Sequence, residues 1–565
     1  MGSTEMARSV LAALVEVGVG EVVLAPGSRN APLAFAAADA AAAGLVRLHT
    51  RMDERSAAFL ALGLTKSHSR AAVICTSGTA AANVHPAVLE AAHTGVRLVV
   101  VTADRPASMR GTSANQVTDQ VGIYGRLIET VDLGDGTGDG TGDGAGGGAG
   151  EEAGDTVPAT VVEEAWAARG PVHWNVAFAE PLTPAERWTP DPIEVREPPA
   201  RVVPAVYESI STGPGTPRTV VVAGDDAGPD ARRLAEAGGW PLLAEPSSGS
   251  RTGATALRTY RLLLETPLAG RIERVVVYGH PTLSRPVGAL LARPDVAVIA
   301  AQTDGVWTRR PFPVERTILA GLHVHGEPEA DATGSGWLAR WHAADRSVAR
   351  QVDQLLAVRR GEGALSGYDV AGAVAQALPP GGLLVVGPSN PIRDLDLMAW
   401  PFPVGSRRKV MANRGLAGID GLVSTSIGAA LARERLNPEH GGRSFALVGD
   451  VTFLHEAGGL FLGPEEPAAE LTIVVVNDDG GSIFATLEQG APEYADRFER
   501  LFGTPHGVSI AALCEASGTP HLRVTSRPEL DQALASPAGG IEVIEVVVDR
   551  SERRELDEAI RRLAG

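Results

Sequence analysis

Two short apolar runs, each ending on an acidic turn, set the strongest limit on how this chain can fold. Residues 445–448 lead into Gly449-Asp450, and residues 471–476 lead into Asn477-Asp478-Asp479-Gly480. Runs of this length without polar alternation are predicted to be strands buried on both faces of a parallel sheet. Such sheets bind ligands beyond the carboxyl ends of their strands. Two carboxylates and a glycine turn at that edge suit a hard divalent cation such as magnesium, holding a diphosphate. If the strands are neighbours, Asp450 and Asp478 reach one cation and a main-chain oxygen near Gly480 adds a third ligand. The competing role for Asp450 is to cap a helix starting near Thr452.

The rest of the chain narrows the class. Its 565 residues allow three or four domains, and 44% hydrophobic against 21% charged residues allow sizeable cores. A net charge of −18 argues against nucleic acid as a general partner. No apolar run is long enough to span a bilayer, and Met1-Gly2-Ser3-Thr4-Glu5 lacks the features of a secretory signal. Cys75 and Cys514 are the only cysteines, which excludes a disulfide framework and predicts a reducing, cytoplasmic setting. Lys66 and Lys409 are the only lysines, which weakens any Schiff-base mechanism.

Three α/β blocks are predicted. In the first, strands at 21–25, 71–75 and 98–102 alternate with helices at 31–43, 54–66 and 80–92, implying a parallel sheet with helices on both faces. Residues 135–154 are nearly pure Gly, Asp, Thr, Ala and Glu and read as a surface insertion. A strand at 171–178 and a proline-rich connector at 181–204 follow. The second block has strands at 219–223, 274–278 and 296–300, then a polar helical connector at 340–360. The third begins at Ser366, a helix cap before 368–378. It continues with a strand at 383–386, the two acidic-ended strands, a strand at 541–548 and a helix at 552–563. The expected domains are 1–188, with the insertion at 134–155, then 189–345 and 346–565. The first and third blocks could share an architecture without sharing sequence.

Other segments fall on the same predicted edges. Glu54, in Asp53-Glu54-Arg55, opens a helix whose next turns are small and apolar. A first-turn glutamate favours the helix dipole, but an apolar setting also suits a proton-shuttling carboxyl group. Pro26-Gly27-Ser28-Arg29-Asn30 and Thr76-Ser77-Gly78-Thr79 follow strands and can present N–H groups to an anion. Neither matches a P-loop or dinucleotide fingerprint, which disfavours a nicotinamide or flavin oxidoreductase. Arg105, Arg393 and Arg414 join Arg29 at strand exits, where bidentate recognition of carboxylates is favoured. Together they point to a polyanionic substrate.

These segments resemble the thiamine-diphosphate-dependent enzymes, in which a pyrimidine-binding domain, a middle domain and a diphosphate-binding domain follow one another. The order Glu54, Gly449-Asp450, Asn477-Asp478 is that family's order. The resemblance is closest to its menaquinone-pathway branch, through Pro26-Gly27-Ser28-Arg29, Asp53-Glu54-Arg55, Asp104-Arg105-Pro106, Asn413-Arg414-Gly415 and Gly418-Ile419-Asp420-Gly421. What it implies is a thiamine-diphosphate-binding fold and a decarboxylative condensation of 2-oxoglutarate with isochorismate. Glu54 then matches the glutamate that hydrogen-bonds the aminopyrimidine, and Gln116 a second catalytic position. Ser389, Ile419, Gly449, Asp450, Thr452 and Asp478 match cofactor positions, with Ile419 as the bulky wedge beneath it. Asp450, Asp478 and the Gly480 carbonyl match ligands of magnesium or manganese. Ser28, Arg29, Arg105, Asn115, Gln116, Ser389, Arg393 and Arg414 match substrate positions. The resemblance also implies a homodimer or homotetramer, with the cofactor between the first domain of one subunit and the third of another. Two positions depart from the broad family: Val451 replaces the second glycine of Gly-Asp-Gly, and Asp478 the second asparagine of Asn-Asn. The middle block offers Ser284 and Arg285 where some relatives have a substrate-contacting lysine. The alternatives are another 2-keto acid decarboxylase or carboligase of acetolactate synthase type, and a non-catalytic metabolite-binding protein.

Overall fold

The computed structural model describes residues 2–134, 157–196, 208–319, 321–328, 336–361, 365–438 and 443–564. The Gly/Asp-rich insertion, apart from Gly134, and part of the proline-rich connector lie outside these residues.

The first and third blocks are built alike. The first sheet runs, in spatial order, Arg47–Thr50, Glu21–Leu24, Ala71–Cys75, Val99–Asp104, Val172–Ala177, Thr130–Leu133. The third runs Lys409–Met411, Leu383–Val386, Ser444–Gly449, Leu471–Asn477, Ile541–Val547, His521–Val524. Numbered along the chain, both read second, first, third, fourth, sixth, fifth, and every pairing is parallel. The order therefore reverses beside the first strand of each sheet. The loops leaving Glu21–Leu24 and Ala71–Cys75 flank one crevice, and those leaving Leu383–Val386 and Ser444–Gly449 flank the other. Between these blocks a five-stranded parallel sheet orders Arg316–Ile318, Ala297–Ala301, Arg274–Tyr278, Thr219–Ala223 and Leu242–Ala244. A separate parallel pair joins Glu208–Ser211 to Leu322–His325.

Two sequence-based expectations need correction. The helix predicted at 80–92 is two helices, Thr79–Asn83 and His85–Thr94. Pro86, in the first turn of the second, has no N–H to continue the first. The connector predicted at 340–360 is the helix Trp337–Gly361, and it is not merely polar: Trp341, Val348, Val352 and Leu356 form a buried stripe.

The first and third blocks share one apolar core, with Val23, Leu60 and Val73 on one side and Val385, Ile427 and Val448 on the other. Helix Glu54–Lys66 packs on helix Leu422–Leu436 at backbone contact. A β-carbon on Gly63 would lie 2.1 Å from the Thr425 carbonyl oxygen, and one on Gly428 2.2 Å from that of Leu60. A buried carboxylate reinforces this junction. Glu21 accepts from Arg47 at 2.7 Å, His49 at 2.9 Å, Ser69 at 2.9 Å and, from the third block, Arg435 at 2.6 Å. Burial pushes the Glu21 carboxyl up, but hydrogen bonds from His49 and Arg47, with their charges, outweigh it and bring it to about 2. A carboxyl lowered in the folded state stabilises above its unfolded pKa, and that contribution is lost as pH falls through the folded value. The shift from 4.5 to about 2 corresponds to about 3 kcal/mol. Glu21→Gln is therefore expected to lower the thermal midpoint most above pH 5. The gap to the unsubstituted protein should narrow as pH drops from 4.5 toward 2, and a gap independent of pH would count against this role.

Candidate active site

Strand Ser444–Gly449 pairs directly with Leu471–Asn477, Gly449 opposite Val476, so the two acidic turns leave the sheet side by side. Asp450 is 2% exposed and is the first residue of helix Asp450–His455, whose N-cap is Gly449. Capping therefore does not account for it. Its Oδ2 accepts the Gly480 N–H at 2.9 Å and faces His506 Nε2 at 3.1 Å. Sequence reasoning assigned Gly480 through its carbonyl; here it is the N–H that meets Asp450. Burial, then the charge of Asp450, raise the Asp478 carboxyl to about 7, and its buried Oδ1 finds no hydrogen-bond partner among the described residues. Thr452 is 4% exposed on the same short helix. A cavity of about 960 Å³ opens beside the pair, lined in part by Asn390, Asn477, Asp478, His506 and Arg550.

This chemistry fits a metal-bound diphosphate. A buried and a half-buried carboxylate in close electrostatic contact, the latter with an orphaned oxygen, call for a positive charge. Among the described residues no group of three or more His, Cys, Asp or Glu could hold a metal. A cation here would rely on two carboxylates with main-chain and ligand oxygens, as magnesium does when it is held on phosphates.

The first block carries further candidate residues. Asp53 caps helix Glu54–Lys66, accepting from the N–H groups of Arg55 at 2.8 Å and Ser56 at 3.3 Å. Glu54 is thus fixed in the first turn, half-buried, with Oε2 3.5 Å from Asn83 Nδ2. Within one chain the residues after Glu54 reach the far end of the Asp450 helix: Arg55 donates to the His455 carbonyl at 2.9 Å, and Ser56 to Glu456 at 2.8 Å. Arg29 donates to the Phe178 carbonyl at 2.8 Å, and Arg105 to Ser77 Oγ. Burial, then the nearby charge of Arg29, lower the Arg105 pKa. Ser28, Asn115 and Gln116 are exposed, and Gln116 has a left-handed backbone (φ 57°).

Arg393 and Arg414 form a second cationic pair. Arg393 donates to the Ser389 carbonyl at 2.7 Å, and Arg414 to Thr282 Oγ1 of the middle sheet's loops at 2.9 Å. Burial, then the charges of Arg414 and Arg261, hold Arg393 below its ordinary value, and a bound anion would relieve that repulsion. Ser389 also has a left-handed backbone (φ 71°), a conformation that concentrates at ligand sites. Ile419 is half-buried in the loop between Arg414 and helix Leu422–Leu436. That loop is held by a residue sequence reasoning missed: Glu90 of the first block accepts the N–H groups of Gly415 and Leu416, both at 2.8 Å. His506 and Arg550 were also missed. Arg550, which donates to the Asp478 carbonyl at 3.3 Å, follows the last strand and satisfies the same strand-exit logic as Arg393. His506 lies in a stretch with no periodicity to place it.

The "Thiamine pyrophosphate enzyme, N-terminal TPP binding domain" family matches residues 4–123, and the corresponding C-terminal TPP binding domain family matches 396–547. A benzoylformate decarboxylase from Polynucleobacter necessarius superposes with a TM-score of 0.62 at 15% identity, covering 98% of this chain and 99% of that one; it supports the fold. The 2-succinyl-5-enolpyruvyl-6-hydroxy-3-cyclohexene-1-carboxylate synthase of a Nocardioides strain is 61% identical over 99% of this chain and 98% of its own. The enzyme of that name from Kineococcus radiotolerans is 43% identical over 98% of this chain and 97% of its own. With these matches spanning nearly its whole length, the chain belongs to the 2-succinyl-5-enolpyruvyl-6-hydroxy-3-cyclohexene-1-carboxylate synthase family of thiamine-diphosphate-dependent enzymes.

Proposed function

We propose that this protein decarboxylates 2-oxoglutarate and adds the resulting four-carbon unit to isochorismate in 1,4 fashion, releasing carbon dioxide, in menaquinone biosynthesis. Thiamine diphosphate, when bound, supplies the electron sink that the decarboxylation needs. Asp450 and Asp478, with the main chain at Gly480, would hold magnesium, and Gly449 and Thr452 would line the cofactor beside them. Ile419 and Ser389 would contact the cofactor, Ile419 as the bulky apolar residue packed against it. Glu54 Oε2 would hydrogen-bond the aminopyrimidine, and Gln116 would assist at the reacting end. Arg29, Arg105, Arg393 and Arg414, with Ser28, Asn115 and Ser389, orient substrate carboxylates and hydroxyls. The observation that carries this reading is the acidic pair at the ends of adjacent parallel strands, in a chain where Glu54 also opens a helix capped by Asp53.

The same proposal makes the working form at least a homodimer. Inside one chain Glu54 contacts Asn83, while its neighbours meet the end of the Asp450 helix remote from Asp450. A second copy is needed to face Glu54 toward an acidic pair. Cytoplasmic residence belongs to this proposal too; no helix among the described residues is long and apolar enough to cross a membrane. The test is loss of isochorismate absorbance on mixing protein, thiamine diphosphate, magnesium, 2-oxoglutarate and isochorismate, with omission of each component stopping it. Turnover of pyruvate in place of 2-oxoglutarate would favour a carboligase of acetolactate synthase type instead.

A further inference from the structure

We propose that Gln120 is a positioning residue for this reaction: its buried amide ties the segment bearing Asn115 and Gln116 to the Ser77-Gly78 turn, and so sets where those side chains meet substrate. The inference rests on the reading of Asn115 and Gln116 as substrate-contacting.

Between strands Val99–Asp104 and Thr130–Leu133 the backbone has only two single turns of 3-10 helix, Ala107–Met109 and Gly125–Leu127. Asn115 and Gln116 sit exposed within this long loop. A loop so poor in internal structure cannot hold two side chains to catalytic tolerance by itself. Gln120, 1% exposed, supplies an anchor. Its Oε1 accepts the Gly78 N–H at 2.8 Å, while Nε2 donates to Asn175 Oδ1 at 3.0 Å and lies 3.2 Å from the Ala103 carbonyl. Asn175, fully buried, donates in turn to Asp104 at 3.0 Å and to Asp132 at 3.0 Å, and accepts from Thr102 at 2.9 Å. The amide orientation is therefore dictated. A backbone N–H can only donate and a carbonyl can only accept, so the Gln120 oxygen must face Gly78 and its nitrogen Ala103. Glutamate has the size but not the donor.

The same glycine carries Gln116. A β-carbon on Gly78 (φ +78°) would lie 3.3 Å from the Gln116 carbonyl oxygen and 3.4 Å from the Gln116 β-carbon. Gln116 is held in a left-handed conformation, which persists only where its surroundings impose it. Ser77, one residue before Gly78, receives Arg105. One peptide thus connects the Gln120 amide, the strained Gln116 and the arginine-bearing turn, while Gln120 itself is sealed from solvent.

The test uses the full-length protein loaded with thiamine diphosphate and magnesium. It compares Gln120→Met, Gln120→Glu, Gln116→Ala and the doubles of each 120 variant with Gln116→Ala. Gln120→Met and Gln120→Glu are expected to lower kcat/KM for isochorismate by about 10- to 100-fold, the cost of an ångström-scale misplacement, with thiamine diphosphate affinity unchanged. Because Gln120 acts through Gln116, the double variants should lose little more than Gln116→Ala alone, a coupling that a merely structural role would not produce. Losses that multiply independently, or full kcat/KM in both Gln120 variants, would overturn the proposal. If Gln116→Ala itself is silent, the substrate-contacting reading of the loop fails instead. Should Gln120→Met not fold, Gln120→Glu carries the same comparison.

Discussion

Glu54→Gln is expected to fold, to bind thiamine diphosphate and magnesium, and to lose about 10²- to 10⁴-fold in kcat, the usual contribution of a positioned acid–base group. The side chain keeps its size and its place in the first turn, because the cap that fixes that turn comes from Asp53 rather than from Glu54. Its contact with Asn83, at 3.5 Å, is too long to be a major source of stability. What the amide cannot do is exchange a proton with the aminopyrimidine. The loss should therefore appear in kcat with little change in cofactor affinity or thermal midpoint. Steady-state kinetics alongside calorimetric titration of the cofactor separate these quantities. Near-native turnover would remove Glu54 from the mechanism.

Asp450→Ala is expected to act at a different stage. It removes the buried member of the carboxylate pair and the acceptor shared by Gly480 and His506. Loss of groups that merely orient a metal ligand costs about 10- to 100-fold in affinity, so loss of the ligand itself should weaken magnesium-dependent thiamine diphosphate binding by at least about 100-fold. Asp450→Asn, which retains one oxygen, should fall between. Titration of thiamine diphosphate at fixed magnesium measures this without turnover. Unchanged affinity in Asp450→Ala would mean that the cation is held elsewhere.

The sheets were legible where the sequence is buried on both faces. The runs at 71–75, 219–223, 383–386, 445–448 and 471–476 are apolar apart from Thr219 and Thr472, and each lies in a strand. Strands such as Arg47–Thr50, Lys409–Met411 and His521–Val524 were not found, because they lie at or next to sheet edges and carry charged residues that blur the pattern. The common strand order of the first and third blocks was foreseen only as a shared architecture. Register and order depend on long-range pairing, which local periodicity does not encode. The candidate positions Asp450, Asp478 and Arg105 were readable because each follows a predicted strand of a parallel sheet, whereas Glu54 was read from the apolar helix it opens, the strand before it having gone unseen. Residues that act through contacts distant in sequence, such as Glu90 of the first block on the Arg414 loop of the third and Gln120 on Gly78 within the first block, carry no local signal. Their roles exist only once the chain is folded.

The proposed site pairs Glu54 from one chain with Asp450 and Asp478 from another. Mixing the two inactive variants Glu54→Gln and Asp450→Ala, with unfolding and refolding to exchange subunits, tests it most directly. Each hybrid dimer would then hold one site with both intact residues, and random pairing should restore about a quarter of the activity of the unsubstituted protein. A mixture as inactive as its components, with exchange verified by differential tagging, would place each site within a single chain and contradict the account.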